Sequence, residues 1–536
     1  MRSRPPLAGL LVMLVAVTLT ATVSLPAEAQ TPKRGGTLRV SYGNEIANLD
    51  FHTAPGYEMM WVAMNVGCGL VNITPDGKFV GDAAESWTIS PDGLDYVFKL
   101  RRNVLFHDGT KVDAAAVKFS IDRLMDPATK SGMRSFYSSV HSVEALDPYS
   151  VQIKMKQPYA FMLHMLAAYR TGFIIYNPVA TQKYSLDDRK QGKPEAVSGC
   201  GPFRLVEWVK GRQLVMDRFD RYFVPGQPLL DRIIIRTIKD PITEMAAFKA
   251  AEVDFIASFS PEHVDTLRAQ VPNVQIMTGK ETTPMVAAMK VTVPKDGKPM
   301  SKDRAPHPIF GDLRVRKAVG CYGMDRKEIV KIAFKGQATP WLGMAPPGTL
   351  DSVDLNSRCP YNPAKAKAML AEVGYGPSKP LTFDIMADTE KSVFNVIATV
   401  IKEQMARIGV TANVRVLDKV SWMNTTLNDG PWDMYVEDLL SLLTIDSNGY
   451  LSNTTSTWSH PRHTDTKVDD YYARYAREMD QAKRKAIGKE LLEYMAENVY
   501  WNNVSGSPFY MVAQPWVKGY TYNAEFEVHW DTVWLD

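Results

Sequence analysis

"LFHDGTKVDAAAVKFSIDRL", residues 105–124, places His107 beside Asp108 immediately ahead of a helix-like pattern. Two readings compete for it: half of a catalytic constellation, or the turn of a hairpin. Asp108-Gly109 is a turn dipeptide, because glycine accepts the positive φ that tight hairpin turns require. The stretch before it, Tyr96-Val97-Phe98-Lys99-Leu100, alternates faces as a strand does. After it, Asp113 can cap a helix whose apolar residues Ala114, Val117, Ile121 and Leu124 recur at the spacing of one buried face. Turn chemistry accounts for every residue, whereas catalysis would still need a nucleophile. The hairpin reading is preferred.

Outward from that stretch the same signals continue. Gly35-Gly36-Thr37-Leu38-Arg39-Val40 reads as a turn feeding a strand, and residues 80–112 read as short strands broken at Pro91-Asp92-Gly93 and Asp108-Gly109. Asp240-Pro241 starts a helix running to about Ala251, with proline at the first helical position. Asp325-Arg326-Lys327-Glu328 has the form of a capping box, with Gly336 as its stop. Asn362-Pro363 begins a helix with Ala366, Met369, Leu370 and Val373 on one face, ended by Gly374. Pro294–Pro308, rich in Lys, Asp and Pro, reads as a solvated loop between larger units. The class is α/β with mixed sheets. A chain of 536 residues exceeds what one hydrophobic core supports, so two or more lobes are expected.

The formal charge of +3 is nearly neutral for this length, and no basic block is interleaved with aromatics, which argues against a nucleic-acid partner. Arg2 and Arg4 precede an apolar run from Leu7 to Thr20, followed by Ala27-Glu28-Ala29. That is the build of a secretory signal peptide, residues 1–29, so export to the periplasm with cleavage near Ala29 is expected. Four cysteines, Cys68, Cys200, Cys321 and Cys359, include no C-x-x-C pair. Cys321 and Cys359 enclose the shortest loop and, if paired, would stabilise by roughly 3–4 kcal/mol; buried free thiols are the equal alternative.

Signatures of catalysis are missing: no G-x-S-x-G elbow, H-E-x-x-H, Walker loop or dinucleotide fingerprint occurs. Gly199-Cys200-Gly201-Pro202 holds a lone G-x-G with proline where a helix should begin. His460 and His463 could offer two imidazoles to a metal, but their Ser, Thr, Asp and Pro neighbours suggest an exposed loop. Glu437, Asp438 and Asp446 flank the apolar run Leu439–Leu443. They are either partly desolvated acids facing a cavity or, preferably, solvated acids at a strand end. Tyr57, Met59, Met60 and Trp61 form an adaptable apolar group whose helical spacing favours core packing over ligand contact.

Taken together, several segments resemble the family 5 extracellular solute-binding proteins of ABC importers, the oligopeptide-, dipeptide- and nickel-binding group. The likeness runs through "GGTLRV" at 35–40, "AESWTISPDGLDYVFKLRRNVLFHDGT" at 84–110 and "GPFRLVEWVKG" at 201–211. It continues in "FGDLRVRKAVGCYGMDRKEIV" at 310–330 and "YNPAKAKAMLAEVGY" at 361–375. The resemblance implies a two-lobe periplasmic binding protein of type II with a small domain inserted in the first lobe. It divides the chain into lobe I at 31–75, 197–285 and 505–536, the inserted domain at 76–196, and lobe II at 286–504. It implies a small-molecule ligand in the interlobe cleft, a membrane permease as partner, a monomer, no cofactor and no catalysis.

One departure from the family bears on the ligand. Peptide-binding members carry an acid nine residues after the Asp corresponding to Asp433, where it receives the peptide's ammonium group. Here that position is Leu442, and the Gly-Trp positions hold Asp438 and Leu439. Glu437, Asp438 or Asp446 could substitute from a shifted backbone, with Tyr57, Trp61 and Leu442 adding apolar contact. A cationic ligand would then partner an otherwise unpaired carboxylate. Lys290, near the point where relatives commonly have Asn, could pair an anionic ligand or, preferably, face solvent. Rival readings are an exported hydrolase using His107 or His460/His463, and a scaffold or sensor that binds no small ligand.

Overall fold

Thr37–Tyr42 enters the first of three large sheets, with Leu38 and Val40 fully buried. It pairs in parallel with Arg232–Thr237 on one side and Phe255–Phe259 on the other. Seven strands lie in the order Gln275–Thr278, Tyr510–Ala513, Phe255–Phe259, Thr37–Tyr42, Arg232–Thr237, Gln213–Arg218, Phe203–Val209. Ile233, Ile235, Phe255, Trp61 and Trp530 belong to the core beside Leu38 and Val40. The computed structural model describes residues 31–53, 57–74, 76–167, 173–259, 261–279, 281, 283–298, 301–347, 349, 351–389, 391–438, 451–452, 454–456, 462–507, 510–520 and 529–536. Lys33–Asp536 is one compact unit.

The second sheet has five strands, in the order Thr411–Leu417, Thr382–Asp388, Met434–Asp438, Thr283–Met289, Asn503–Ser507. Every residue of Thr283–Met289 is buried, as expected of a strand covered on both faces. The helix Ser392–Arg407 packs on this sheet through Phe394, Ile397, Ile401 and Met405. The chain leaves the first sheet after Thr278 and enters the second at Thr283; it returns between Ser507 and Tyr510.

The third sheet contains the stretch from which the sequence reading began. Its four strands are ordered Ala84–Ile89, Asp95–Leu100, Ser150–Met155, Val140–Asp147. Leu105 bridges Lys111, the Phe106 N–H donates to the Thr110 carbonyl at 2.8 Å, and Gly109 sits at φ +91°. Asp113 then caps the helix Ala114–Met125 by accepting from the Ala116 N–H at 2.9 Å. Ala114, Val117, Ile121 and Leu124 are all buried, so the predicted face is the packed one. Asp240 and Asn362 also cap the helices Pro241–Lys249 and Pro363–Glu372. At Asp325 only one arm of the expected capping box forms. Its side chain accepts from Lys327 and Glu328, but its own N–H goes to Gln404 while Glu328 pairs with Arg407.

Two expectations need correction. Residues 294–308 are not simply a solvated loop: Thr292–Pro294 and Arg304–Pro306 pair as a short hairpin, anchored by Arg304. Lys290 does not face solvent; it is 2% exposed, and its ammonium lies 3.0 Å from Asp429 Oδ1. Arg304 reaches the other oxygen of Asp429 at 2.6 Å, and Arg462 stands 3.8 Å away. Strand register explains why the sequence hid this: Lys290 immediately follows a buried strand and has to find its partner within the fold. Cys321 pairs with Cys359, and Cys68 with Cys200.

Candidate functional site

Met434–Asp438 runs parallel to Thr382–Asp388, with Met386 opposite Tyr435. The carboxyl ends of both strands therefore reach the same edge of the second sheet, bringing Asp388, Glu437 and Asp438 together. In open α/β sheets that edge is where ligands bind. Two helices begin at the same edge. Lys391 precedes Ser392–Arg407, and Lys419 opens Lys419–Leu427 behind its cap Asp418.

Each acid meets a lysine of the same chain. The Lys391 ammonium donates to Asp438. Lys419 lies 3.0 Å from Asp388 and 3.4 Å from Glu437. The Asp388 side chain is fully buried, and those of Glu437 and Asp438 are each 14% exposed. Burial pushes the Glu437 carboxyl up to about 8, against the opposing pull of Lys419. At neutral pH Glu437 thus keeps its proton, and two ammonium groups face the two carboxylates of Asp388 and Asp438. Among the described residues, two lysines thus stand against three acids, of which Glu437 is protonated.

This overturns two sequence expectations. Glu437 and Asp438 are not solvated at a strand end, and among the described residues neither waits unpaired for a ligand cation, because Lys391 and Lys419 supply the partners. Neither lysine, nor Asp388, was legible as part of the site. They lie 18 to 47 residues from the acids they meet, and no linear pattern joins them. The only available signal was that helix starts cluster at the carboxyl edge of parallel strands.

The other candidates are placed as follows. Leu442, Asp446 and His460 lie outside the described residues, as does the side chain of Tyr57, which begins the helix Tyr57–Val66. Trp61 is 4% exposed, with its ring 5.8 Å from Tyr42 and 5.9 Å from Trp530; core packing accounts for it. His107 is packed edge-on against Phe219 at 4.9 Å and donates from Nε2 to the Gly201 carbonyl at 3.1 Å. Burial pushes its imidazole down to about 4. Asp108 turns away, accepting from Thr110 and Asn177. His463 is not on an exposed loop: it is buried, stacked 4.6 Å from Tyr500, with Nε2 donating to the Thr454 carbonyl. Among the described residues, no group of three or more His, Cys, Asp or Glu could hold a metal.

The lone G-x-G also has a packing explanation. Gly199 and Gly201 pass against the end of the Tyr57–Val66 helix, and the Gly201 N–H donates to the Val66 carbonyl at 2.9 Å. A Cβ on Gly201 would sit 2.6 Å from the carbonyl oxygens of Asn65 and Gly67. Close approach of two backbones, not phosphate binding, requires the glycine.

A chain that crosses twice between two α/β sheets and carries a further four-stranded sheet has the architecture of a two-lobe solute-binding protein. It belongs to the bacterial extracellular solute-binding proteins, family 5: a model of the family's middle region matches residues 78–460. Among curated relatives, the glutathione-binding protein GsiB of Escherichia coli is 31% identical over 381 residues, spanning 71% of this chain and 69% of that protein. Among solved structures, the ABC transporter substrate-binding protein CtaP of Listeria monocytogenes superposes with a TM-score of 0.81 at 22% identity, covering 94% of this chain and all of that one. The binding protein AgaA of A. tumefaciens, solved with agropinic acid, gives 0.77 at 26% identity, covering 94% and 99%. The chain is a solute-binding protein of the ABC-importer type. Its relatives are binding proteins, consistent with the missing catalytic signatures.

Proposed function

We propose that this protein captures a peptide-like or other small polar organic solute in a cleft between its two lobes and hands it to a membrane permease. The observation that carries the solute class is the 31% identity to a glutathione-binding protein across most of both chains. Lys391 and Lys419 already partner the described acids at the strand edge, which favours a zwitterionic or neutral ligand over a simple cation. In this proposal Glu437 and Asp438 approach the ligand from the strand edge, and Leu442 and Asp446, which lie outside the described residues, are further ligand contacts. Trp61 and the imidazoles have no part in binding. The lobes follow about the division 31–75, 197–285 and 505–536 for the first and 286–504 for the second, with 76–196 inserted; the second-sheet strands Thr283–Met289 and Asn503–Ser507 extend the second lobe a few residues at each boundary. The mature protein is a periplasmic monomer cleaved near Ala29. A ligand contacting both lobes lowers the energy of the closed form, which is what the permease reads.

Thermal-shift and calorimetric titration of the mature protein with glutathione, dipeptides, tripeptides, amines and sugars tests the reading. A ligand at 100 times its Kd should add about 2.7 kcal/mol of stability. No stabilisation by any of these pools would refute it, and stabilisation by a sugar or amine pool with none from any peptide would refute the peptide-like class.

A further inference from the structure

A cavity of about 440 Å³ lies between the inserted four-stranded unit and the second-sheet region, and its described lining shares no residue with the strand-edge cluster. Segments 132–139 and 157–159 form one wall; Ser452, Thr455 and the helix Thr466–Arg477 form the other. The walls are tied at one end. The Ala160 N–H donates to the Ala476 carbonyl at 2.9 Å, and Phe161 packs 5.4 Å from Tyr475 with the Arg484 guanidinium 5.3 Å above its ring. This tie holds the two surfaces apart at a set spacing, so the space between them is built into the fold. Its size falls in the range of small-molecule sites, roughly 300–1,000 Å³.

The lining has a consistent chemistry. Phe136, Tyr159 and Tyr472 contribute aromatic surface, and Ser135 and Thr455 are among the hydroxyl residues beside them. Among the described residues, Arg477 is the only charged residue of the lining, and no carboxylate pairs with it. A guanidinium without an acid selects a carboxylate, which it can receive on two parallel N–H donors. Aromatic faces select a planar apolar group.

We propose that this cavity is a second ligand site, distinct from the solute site at the strand edge, and that it takes an aromatic monocarboxylate. The carboxylate meets Arg477 and neighbouring hydroxyls, and the ring lies among Phe136, Tyr159 and Tyr472. Such an acid can be a free arylalkanoate or the carboxyl end of a peptide terminating in an aromatic residue. Because the occupant touches both walls, its binding strengthens the tie between the inserted unit and the second-sheet region.

Calorimetric titration of the full mature chain with phenylacetate, N-acetylphenylalanine and the neutral phenylacetamide tests the proposal. At least one acid should bind with Kd below about 1 mM, and the amide roughly tenfold more weakly than phenylacetate or not at all. Binding by phenylacetate alone identifies the free acid as the ligand class; tighter binding of N-acetylphenylalanine identifies the peptide end. Arg477→Gln, at an exposed position, should reduce acid binding roughly tenfold. Ala473→Trp should fill the cavity and abolish it. The proposal is overturned if neither acid binds below about 1 mM. It is also overturned if Arg477→Gln and Ala473→Trp both leave acid binding intact.

Discussion

Gly201 and His107 meet where the inserted unit rejoins the first sheet, and both act through packing. The His107 N–H donates to the Gly199 carbonyl at 2.8 Å while its ring donates to Gly201. Gly201→Ala would press a Cβ against two backbone oxygens that cannot move independently. A loss of about 1–3 kcal/mol is expected in denaturant unfolding, with ligand affinity of the folded protein unchanged. His107→Ala removes a buried ring and a hydrogen bond, and should cost about 2 kcal/mol with the same indifference in affinity. A tenfold affinity loss in a His107→Ala protein that retains its parent stability would contradict the packing assignment. The turn itself was readable from Asp108-Gly109. What the ring touches was not, because Gly201 and Phe219 come from a segment about a hundred residues later.

At the scale of the element, the strand Met434–Asp438 controls a pH response. Folded Glu437 holds its proton up to about pH 8, whereas an unfolded glutamate releases it near 4.5. Between those values the native state binds the extra proton, so this group's contribution is complete below 4.5 and is lost as pH rises through 8. Glu437→Gln keeps the shape and removes the titration. The variant should match its parent in Tm near pH 4.5 and exceed it increasingly up to about pH 8, where the gap levels off. A gap that stays flat or reverses would mean that pairing with Lys419 outweighs burial. The hairpin anchor gives a second expectation. Asp429 is the carboxylate shared by Lys290, Arg304 and Arg462, so Asp429→Asn strands buried cations and should cost about 3–5 kcal/mol in equilibrium unfolding. Lys290→Met should cost less, since Arg304 still neutralises Asp429.

Across the whole molecule, the Cys68–Cys200 bond closes a 132-residue separation that brackets the entire four-stranded sheet. On the loop-entropy model a closure of that length contributes about 5 kcal/mol, more than the Cys321–Cys359 loop of 38. Replacing Cys68 and Cys200 together by Ser should therefore lower stability more than the same change at Cys321 and Cys359. Equal losses would show that native packing, rather than loop closure, sets the effect. Saturating ligand should also reduce the radius of gyration in solution scattering, because among the described residues the chain passes between the first two sheets twice, leaving the first after Thr278 and re-entering it at Tyr510.

Local chemistry was written in the linear order: the turn at 108–109, the caps at Asp113, Asp240 and Asn362, the apolar helix faces, and the chain-long likeness that identifies the family. These depend on neighbours within a few residues, or on a pattern spread so widely that local packing cannot obscure it. Tertiary structure alone decided that Lys290 is buried on Asp429, that Cys68 pairs with Cys200, and that Lys391 and Lys419 neutralise the strand-edge acids. Charge pairing and burial are set by distance in space. Parallel strands bring together residues separated by a full crossover of chain, so the partners of Glu437 and Asp438 could be known only once Thr382–Asp388 lay beside Met434–Asp438.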